Sequence, residues 1–223
     1  MNTSKALDTT KARMWRLLCV ALLLSAASAH AQMFEVTPLV GGRFGGTIKL
    51  QETGQPNRDA SLEDSFSYGV SGGVRFDGGE CEKCSVIAFR WMRQKTHLSP
   101  GSDFPDAASF RPNITLDHFL ADFMQEFPIR ETRDIVRPFV TASLGAARMS
   151  APAESRTRFE FGIGGGIDIF PKPRWGFRVQ VEYLPMVMNA ELQRVICAGG
   201  CIVAVSGGVM NQFQVLFGPI FRF

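Results

Sequence analysis

Four cysteines are the first residues whose type and spacing suggest chemistry. Cys81 and Cys84 form a C-x-x-C pair, and Cys197 and Cys201 form a second close pair. Two such pairs are typical of a structural zinc site, in which four thiolates bind one ion. That interpretation requires the two pairs to meet in space, so it depends on the elements that carry them.

A second and larger group of candidate residues is charged, and its members occupy alternate positions within otherwise apolar segments. Seven arginines and six carboxylates share this pattern: Glu35, Arg43, Arg75, Arg90, Asp122, Glu126, Arg137, Arg158, Glu160, Asp168, Arg178, Glu182 and Arg222. His118 falls on the same parity. Because the guanidinium fork matches a carboxylate, we expect these residues to form a connected ion-pair network and not a catalytic centre.

The N-terminus predicts export. Residues 1–16 are basic, an apolar run follows from Leu17 to Leu24, and Ala29-His30-Ala31 is an A-x-A cleavage signature. We therefore expect residues 1–31 to be a cleaved secretory signal peptide and 32–223 to be one domain. This leader holds four of the 24 basic and one of the 21 acidic residues, so its removal leaves 20 of each. A neutral exported chain does not favour a nucleic-acid partner.

The remaining sequence alternates with a period of two. Eight segments show apolar residues on one parity and polar residues on the other: 33–45, 65–76, 85–95, 114–126, 134–147, 157–170, 174–188 and 209–223. The last segment carries Phe213, Phe217, Phe221 and Phe223 on one face and Arg222 on the other. In a soluble β-sandwich the apolar face would fill a dry core and the charges would face water. Lipid outside and paired charges inside predict an all-β fold, a closed antiparallel up-and-down transmembrane barrel.

The connections support this interpretation. If the first strand rises from the periplasm, the outer connections are long, at 46–64, 96–113, 148–156 and 189–208. The inner connections, 77–84, 127–133 and 171–173, are short, which is the rule for outer-membrane barrels. Pro38, Pro138, Pro185 and Pro219 lie inside predicted strands, where we expect bulges or strand ends.

On strand number, loop alternation and the terminal aromatic residue, the chain resembles the small eight-stranded outer-membrane barrels of the OmpA-transmembrane and OmpX type. The resemblance implies the bacterial outer membrane as location, membrane lipid as surroundings and the barrel-assembly machinery as a partner during insertion. It also implies that Gly218, Phe221 and Phe223 match the C-terminal assembly signal, while Leu216 stands where a polar residue is usual.

The barrel topology changes the meaning of the cysteines. The first pair falls in a periplasmic turn and the second in an outer loop, so a shared zinc ion is excluded and we expect two local disulfides. We expect neither a metal nor a cofactor. Ala198-Gly199-Gly200 is suited to a three-residue hairpin loop, so we expect the flanking residues to form a β-ribbon. In this ribbon the numbers of two paired residues sum to 398, which places Cys197 opposite Cys201 and Tyr183 opposite Val215. The same register places Phe177 opposite Phe221.

Three functions remain open from the sequence. The first is a non-enzymatic barrel with a plugged lumen, whose outer loops contact an unknown extracellular ligand or support envelope integrity. The second is a lipid-modifying enzyme, because His97-Leu98-Ser99 is similar to the H-x-S motif of outer-membrane lipid A deacylases, although Pro100 replaces the usual Asn. The third is a narrow channel.

Overall fold

A computed structural model describes residues 33–52, 58–76, 84–100, 113–129, 132, 135–151, 155–188, 193–196, 202–205 and 208–223. These residues form twelve β-strands: β1 (Met33–Gly45), β2 (Thr47–Glu52), β3 (Arg58–Leu62), β4 (Ser65–Phe76), β5 (Cys84–Pro100), β6 (Asn113–Glu126), β7 (Val136–Ser150), β8 (Ser155–Lys172), β9 (Trp175–Met188), β10 (Gln193–Ile196), β11 (Ile202–Val205) and β12 (Gly208–Arg222). Among the described residues, no helix is long and apolar enough to cross a membrane. The predicted leader, 1–31, lies outside the described residues.

Eight long strands close into a barrel. In the order β1, β4, β5, β6, β7, β8, β9, β12, each pairs antiparallel with the next. The pairing of β1 with β12 closes the ring. The predicted eight-stranded up-and-down barrel is confirmed. We call the end at which β1 begins and β12 ends the lower end, and the opposite end the upper end.

Four short strands extend the sheet beyond the upper end. β2 pairs with β3, β3 with the end of β5, and β11 with both β10 and β2. The β2–β3 hairpin lies within 46–64, which the sequence predicts only as a long outer connection. It begins after Gly45 and Gly46, whose φ angles of 82° and 108° favour glycine.

The β10–β11 ribbon has the predicted register, but the barrel below it does not. Val195 pairs with Val203 and Ile196 with Ile202, as the sum of 398 requires. In β9 and β12, Tyr183 pairs with Phe213 instead of Val215, and Phe177 with Pro219 instead of Phe221. The register changes by two because residues 189–192 connect one side and only 206–207 the other. An even shift preserves the parity of every side chain.

Loop alternation is only partly correct. The ladder between β7 and β8 continues up to Ser150 and Ser155, so the third upper connection is 151–154 and not 148–156. It is shorter than the lower connection 127–135. Long upper connections therefore occur at three of the four positions, and a tight hairpin occupies the fourth.

Three of the four prolines, Pro38, Pro185 and Pro219, lie where the ladder is interrupted on one side without a bulge. Pro138 is the third residue of β7 and lies where the β6–β7 ladder ends, as expected for a strand end. Pro38 and Pro219 fall opposite each other between β1 and β12, where pairing stops after Val36–Phe221 and resumes at Val40–Phe217 in the same register. A Cβ at Gly218 would overlap the carbonyl oxygen of Pro38, so this close approach requires glycine. The register shift between β8 and β9 lies elsewhere, at Ile169–Lys172.

The two faces of the barrel have inverted polarity relative to a soluble protein. Phe213, Phe217 and Phe221 are 54%, 53% and 42% exposed, whereas Arg178 is 2% and Glu182 1% exposed. Charged groups occupy the interior and large apolar groups the outside along every long strand. This pattern excludes the soluble β-sandwich, because that fold would bury the phenylalanines.

Candidate functional site: the barrel lumen

Seven charged side chains fill the lower part of the lumen. We call this set the lower network: Glu35, Arg75, Glu126, Arg137, Asp168, Arg178 and Arg222. The carboxylate of Glu126 on β6 lies 2.7 Å from Arg75 Nη1, 3.2 Å from Arg222 Nη2 and 3.6 Å from Arg137 Nη1. Because these arginines belong to β4, β12 and β7, one carboxylate connects four strands.

Arg178 forms the second centre of the lower network. It donates from Nε to Asp168 Oδ1 at 2.8 Å and from Nη2 to Oδ2 at 2.7 Å, a bidentate pair. The same Nη2 lies 3.2 Å from Glu35 Oε1, and Glu35 Oε2 lies 3.4 Å from Arg222 Nη2. Asp168 and Arg178 are direct partners between β8 and β9, so their contact follows from the register.

Two inward aromatic rings pack against these guanidinium groups. The guanidinium carbon of Arg222 lies 3.5 Å from the ring centroid of Phe170, and that of Arg178 lies 5.1 Å from the centroid of Phe139. Both rings are buried. A ring face attracts a cation and fills space that a carboxylate would leave open, so the rings tighten the lower network.

A second polar layer, the middle network, crosses the lumen at half height: Arg90, Asp122, Ser143, Gln180, Glu182 and Gln214. Arg90 Nη2 lies 3.0 Å from Asp122 Oδ1 and 2.7 Å from Glu182 Oε2. Glu182 also accepts hydrogen bonds from Gln214 Nε2 at 2.6 Å and from the Ser143 hydroxyl. Since β5 and β9 are not neighbours, the contact between Arg90 and Glu182 spans the interior.

Arg43, His118 and Glu160 form an upper triad. Arg43 Nη1 lies 2.8 Å from His118 Nε2, and His118 Nδ1 lies 2.8 Å from Glu160 Oε2. A guanidinium only donates and a carboxylate only accepts, so this geometry assigns the His118 proton to Nδ1. Arg158 is also buried, one inward position above Glu160 on β8. Each of the three triad residues comes from a different strand, and these strands are not adjacent.

Above the triad, most inward side chains are apolar, and the buried Gln94, Thr96 and Arg158 lie among them at the same height. One cluster of buried residues, the methionine cluster, comprises Ala60, Leu62, Leu98, Ile114, Leu116, Ala147, Met149, Met186, Met188 and Met210. Ala60 and Leu62 belong to β3, so the β2–β3 hairpin contributes to this cluster. A backbone bond from Glu63 N to His97 O at 2.9 Å fixes the hairpin to β5, and one from Leu62 N to Gly46 O at 2.9 Å closes the base of the hairpin. The upper lumen is therefore closed by packing.

The methionine cluster and the glutamines of the middle network were not predicted from the sequence. The sequence signal for both groups is the set of residues that share the inward parity of β9 and β12. Leu184, Met186 and Met188 continue the inward face of Glu182, and Met210 continues that of Gln214. Counting charged residues alone overlooked this face, since methionine and glutamine carry no charge.

The other predicted site residues lie outside the lumen or outside the described residues. Cys84 is buried at the start of β5, whereas Cys81, Cys197 and Cys201 are not among the described residues, so both disulfides remain predictions. Gly218 is buried and Phe221 and Phe223 are exposed at the lower end. Among the described residues, no group of three or more His, Cys, Asp or Glu side chains has the arrangement of a metal site.

His97 and Ser99 lie on the upper part of β5, on the outward parity. The His97 side chain is 50% exposed, and its Nδ1 lies 3.9 Å from Glu63 Oε2. The pair is therefore separate from the buried charges of the lumen.

Solved structures share the fold of this chain, but no protein family matches its sequence. A scan against protein-family models found no match, and a search of curated proteins found no relative. Among solved structures, the chain is similar to Neisserial surface protein A, with 14% identity over 86% of this chain and 97% of that chain and a TM-score of 0.54. It is also similar to the outer membrane protein OprG from Pseudomonas aeruginosa, with 10% identity over 86% and 96% of the two chains and a TM-score of 0.56. At these identities the likeness shows the barrel fold alone.

Proposed function

We propose that the chain is a non-enzymatic bacterial outer-membrane barrel whose lumen is plugged and whose upper connections serve surface interaction or envelope integrity. The observation that carries the proposal is the linkage of strands through the interior. Glu126, Arg178 and Arg90 each contact partners on at least two other strands. A free pore lining would instead expose its charges to the passage.

The dimensions of the fold support a plug. An eight-stranded barrel has an interior just wide enough for its own side chains. Here that interior holds three successive polar layers and then a mainly apolar layer, each with buried members. Buried charges are tolerable only when paired, so a solute that separated these pairs would meet a large energetic barrier.

The proposed orientation places the lower end in the periplasm. Phe34, Phe76, Phe127, Trp175 and Phe223 would form the lower aromatic girdle and Phe44, Tyr68 and Trp91 part of the upper one. The hairpin β2–β3 and the ribbon β10–β11 would then lie on the extracellular side of the membrane. An extracellular ligand would bind to these elements. The leader cleaved after residue 31, the disulfides Cys81–Cys84 and Cys197–Cys201 and recognition of Gly218, Phe221 and Phe223 by the assembly machinery belong to the same proposal.

Conductance tests the plug. The purified protein, folded in detergent and shown by heat-modifiable gel migration to be a barrel, is added to a planar bilayer. We expect no steady single-channel conductance. The control is Arg174→Gln, which changes a charge at the lower turn and not in the lumen. A defined, reproducible conductance in both the wild type and this control would contradict the plug and favour the narrow channel.

Orientation is tested separately by labelling. A single cysteine introduced at Gly199 should react with an impermeant maleimide on intact cells, whereas one at Glu82 should not. The opposite pattern would invert the barrel without affecting the plug.

A lipid-modifying enzyme is the second candidate, because Glu63 lies near His97 and Ser99 follows two positions along the same face. A carboxylate, an imidazole and a hydroxyl are the groups of a nucleophilic hydrolase. Release of acyl chains from lipid A by the purified protein, abolished in His97→Ala and retained in His118→Ala, would establish this function. No release by the folded wild type would remove it.

A further inference from the structure

Outside the barrel, the change from apolar to polar side chains follows one ladder row on the three neighbouring strands β5, β6 and β7, whereas on β4 the exposed Phe66 still lies above Tyr68. Successive cross-strand partners on β4 to β7 form a polar row: Tyr68, Arg93, Asp117 and Arg148. The next row down on the same face is apolar: Val70, Trp91, Phe119 and Ala146. Two residues along a strand are about 7 Å, so these guanidinium groups lie directly above the lipid-facing surface.

Cations dominate this upper edge on the β5–β7 side. We call Arg93, Lys95 and Arg148 the outer cationic row. Lys95 is exposed one outward position above Arg93. Asp117 is the carboxylate that separates Arg93 from Arg148 in the ladder. By contrast, Val187, Val209 and Asn211 occupy the described outward positions near the upper ends of β9 and β12 and carry no charge.

Neighbouring groups hold the two arginines in place. Arg93 donates from Nε to Asp117 Oδ1 at 2.7 Å and from Nη2 to Oδ2 at 3.0 Å, and its guanidinium carbon lies 5.6 Å from the centroid of the Trp91 ring. Arg148 donates from Nε to Ser155 Oγ at 2.8 Å. Its side chain is exposed, so its terminal nitrogens can reach a ligand outside the barrel. The row is thus organised before any ligand binds.

We propose that the outer cationic row binds the phosphate groups of the glycolipid in the outer leaflet. Arginine forks match phosphate oxygens in a bidentate manner, and lysine adds a point charge. Head-group phosphates occur at the height where the barrel changes from aromatic to charged residues, and clusters of basic residues at this position recognise anionic lipids. The inference rests on the proposed orientation, with the upper end outward, but not on the plugged lumen.

Binding of lipid A to the detergent-folded protein tests the inference. We expect wild type to bind bisphosphorylated lipid A, and Arg148→Gln, which leaves the pair of Arg93 and Asp117 intact, to bind about fivefold more weakly. The double variant R93Q/R148Q should lose about 30-fold. Arg174→Gln, an exposed arginine at the opposite end, should bind as wild type does.

Four outcomes would overturn the inference. Equal affinity of R93Q/R148Q and wild type would show that the row makes no contact with the lipid. An equal loss in Arg174→Gln would show attraction by overall charge. Full retention of binding by lipid A without its phosphates would remove phosphate recognition, and complete competition by millimolar inorganic phosphate would assign the row to free phosphate.

The two proposals fail in different ways. Steady conductance together with the expected loss in R93Q/R148Q would disprove only the plug. Labelling that placed residue 82 outside the cell would disprove the orientation, and with it the assignment to the outer leaflet.

Discussion

The lumen is closed in two chemically different ways at its two ends. In the lower network every group needs a partner of opposite charge, and Glu126 has three arginines within 3.6 Å. In the methionine cluster the groups need only complementary shape, and four methionines supply it. The difference coincides with a structural one: the lower lumen is surrounded by the eight barrel strands alone, whereas the upper lumen also meets the β2–β3 hairpin.

This comparison indicates why each chemistry lies where it does. A regular ladder fixes the positions of facing side chains well enough for ion pairs, as between Asp168 and Arg178. A hairpin that packs over the opening leaves irregular gaps, and the unbranched methionine side chain fills such gaps readily. The lower lumen should therefore be sensitive to loss of a partner and the upper lumen to loss of volume.

The largest effect is expected at the centre of the lower network. Glu126→Gln removes the charge that Arg75, Arg137 and Arg222 share and leaves buried cations with one partner fewer. Loss of one member of a buried pair costs about 4 kcal/mol. Urea unfolding in lipid vesicles, followed by heat-modifiable migration, should show this loss in the free energy of unfolding. A cost as small as that of a conservative apolar substitution would show that the network does not stabilise the barrel.

A smaller loss is expected from a cavity in the upper lumen. Leu116 on β6 is fully buried within the methionine cluster. Leu116→Ala should cost about 3 kcal/mol through lost burial and the cavity that remains. The same urea titration measures it, with the lipid-facing Leu144→Ala as control, because that leucine is 57% exposed. Equal costs at the two leucines would contradict a packed upper lumen.

Two positions on β12 compare the layers within one strand. Gln214 donates to Glu182 at 2.6 Å, whereas Met210, four residues earlier on the same inward face, belongs to the apolar methionine cluster. Gln214→Leu should cost about 2 kcal/mol, because Glu182 loses a buried donor. Met210→Leu conserves volume and should cost less, about 1 kcal/mol. If Met210→Leu lowered the urea midpoint more than Gln214→Leu, the polar and apolar layers would not differ in the way proposed.

The sequence predicted the faces of the barrel better than its contacts. Alternation depends on a period of two, so it survives an error in register, and Phe213 faces outward although its partner was misassigned. The pair of Asp168 and Arg178 is local to one hairpin. The contact of Arg90 with Glu182, or of Arg43 with Glu160, depends on which strands face each other across the lumen, and the strand stagger that decides this cannot be inferred from alternation.

The β2–β3 hairpin shows a second limit. Its strands are short, and Ala60 and Leu62 become a lid only because β3 pairs with the upper end of β5. A polar connection with a few apolar residues does not reveal such a long-range pairing.

The smallest effect is expected at an ion pair outside the lumen. Arg93 and Asp117 form two hydrogen bonds as good as those of Arg178 and Asp168, but the Arg93 side chain is 38% exposed. Water and salt screen such a pair, and exposed pairs contribute little to stability. Asp117→Asn should therefore leave the urea midpoint within experimental error, whereas Asp168→Asn should lower it clearly, in 0.1 M and in 1 M salt alike. If Asp117→Asn destabilised the barrel as much as Asp168→Asn, burial would not be what distinguishes the lower network, and the comparison between the ends of the lumen would have to rest on geometry alone.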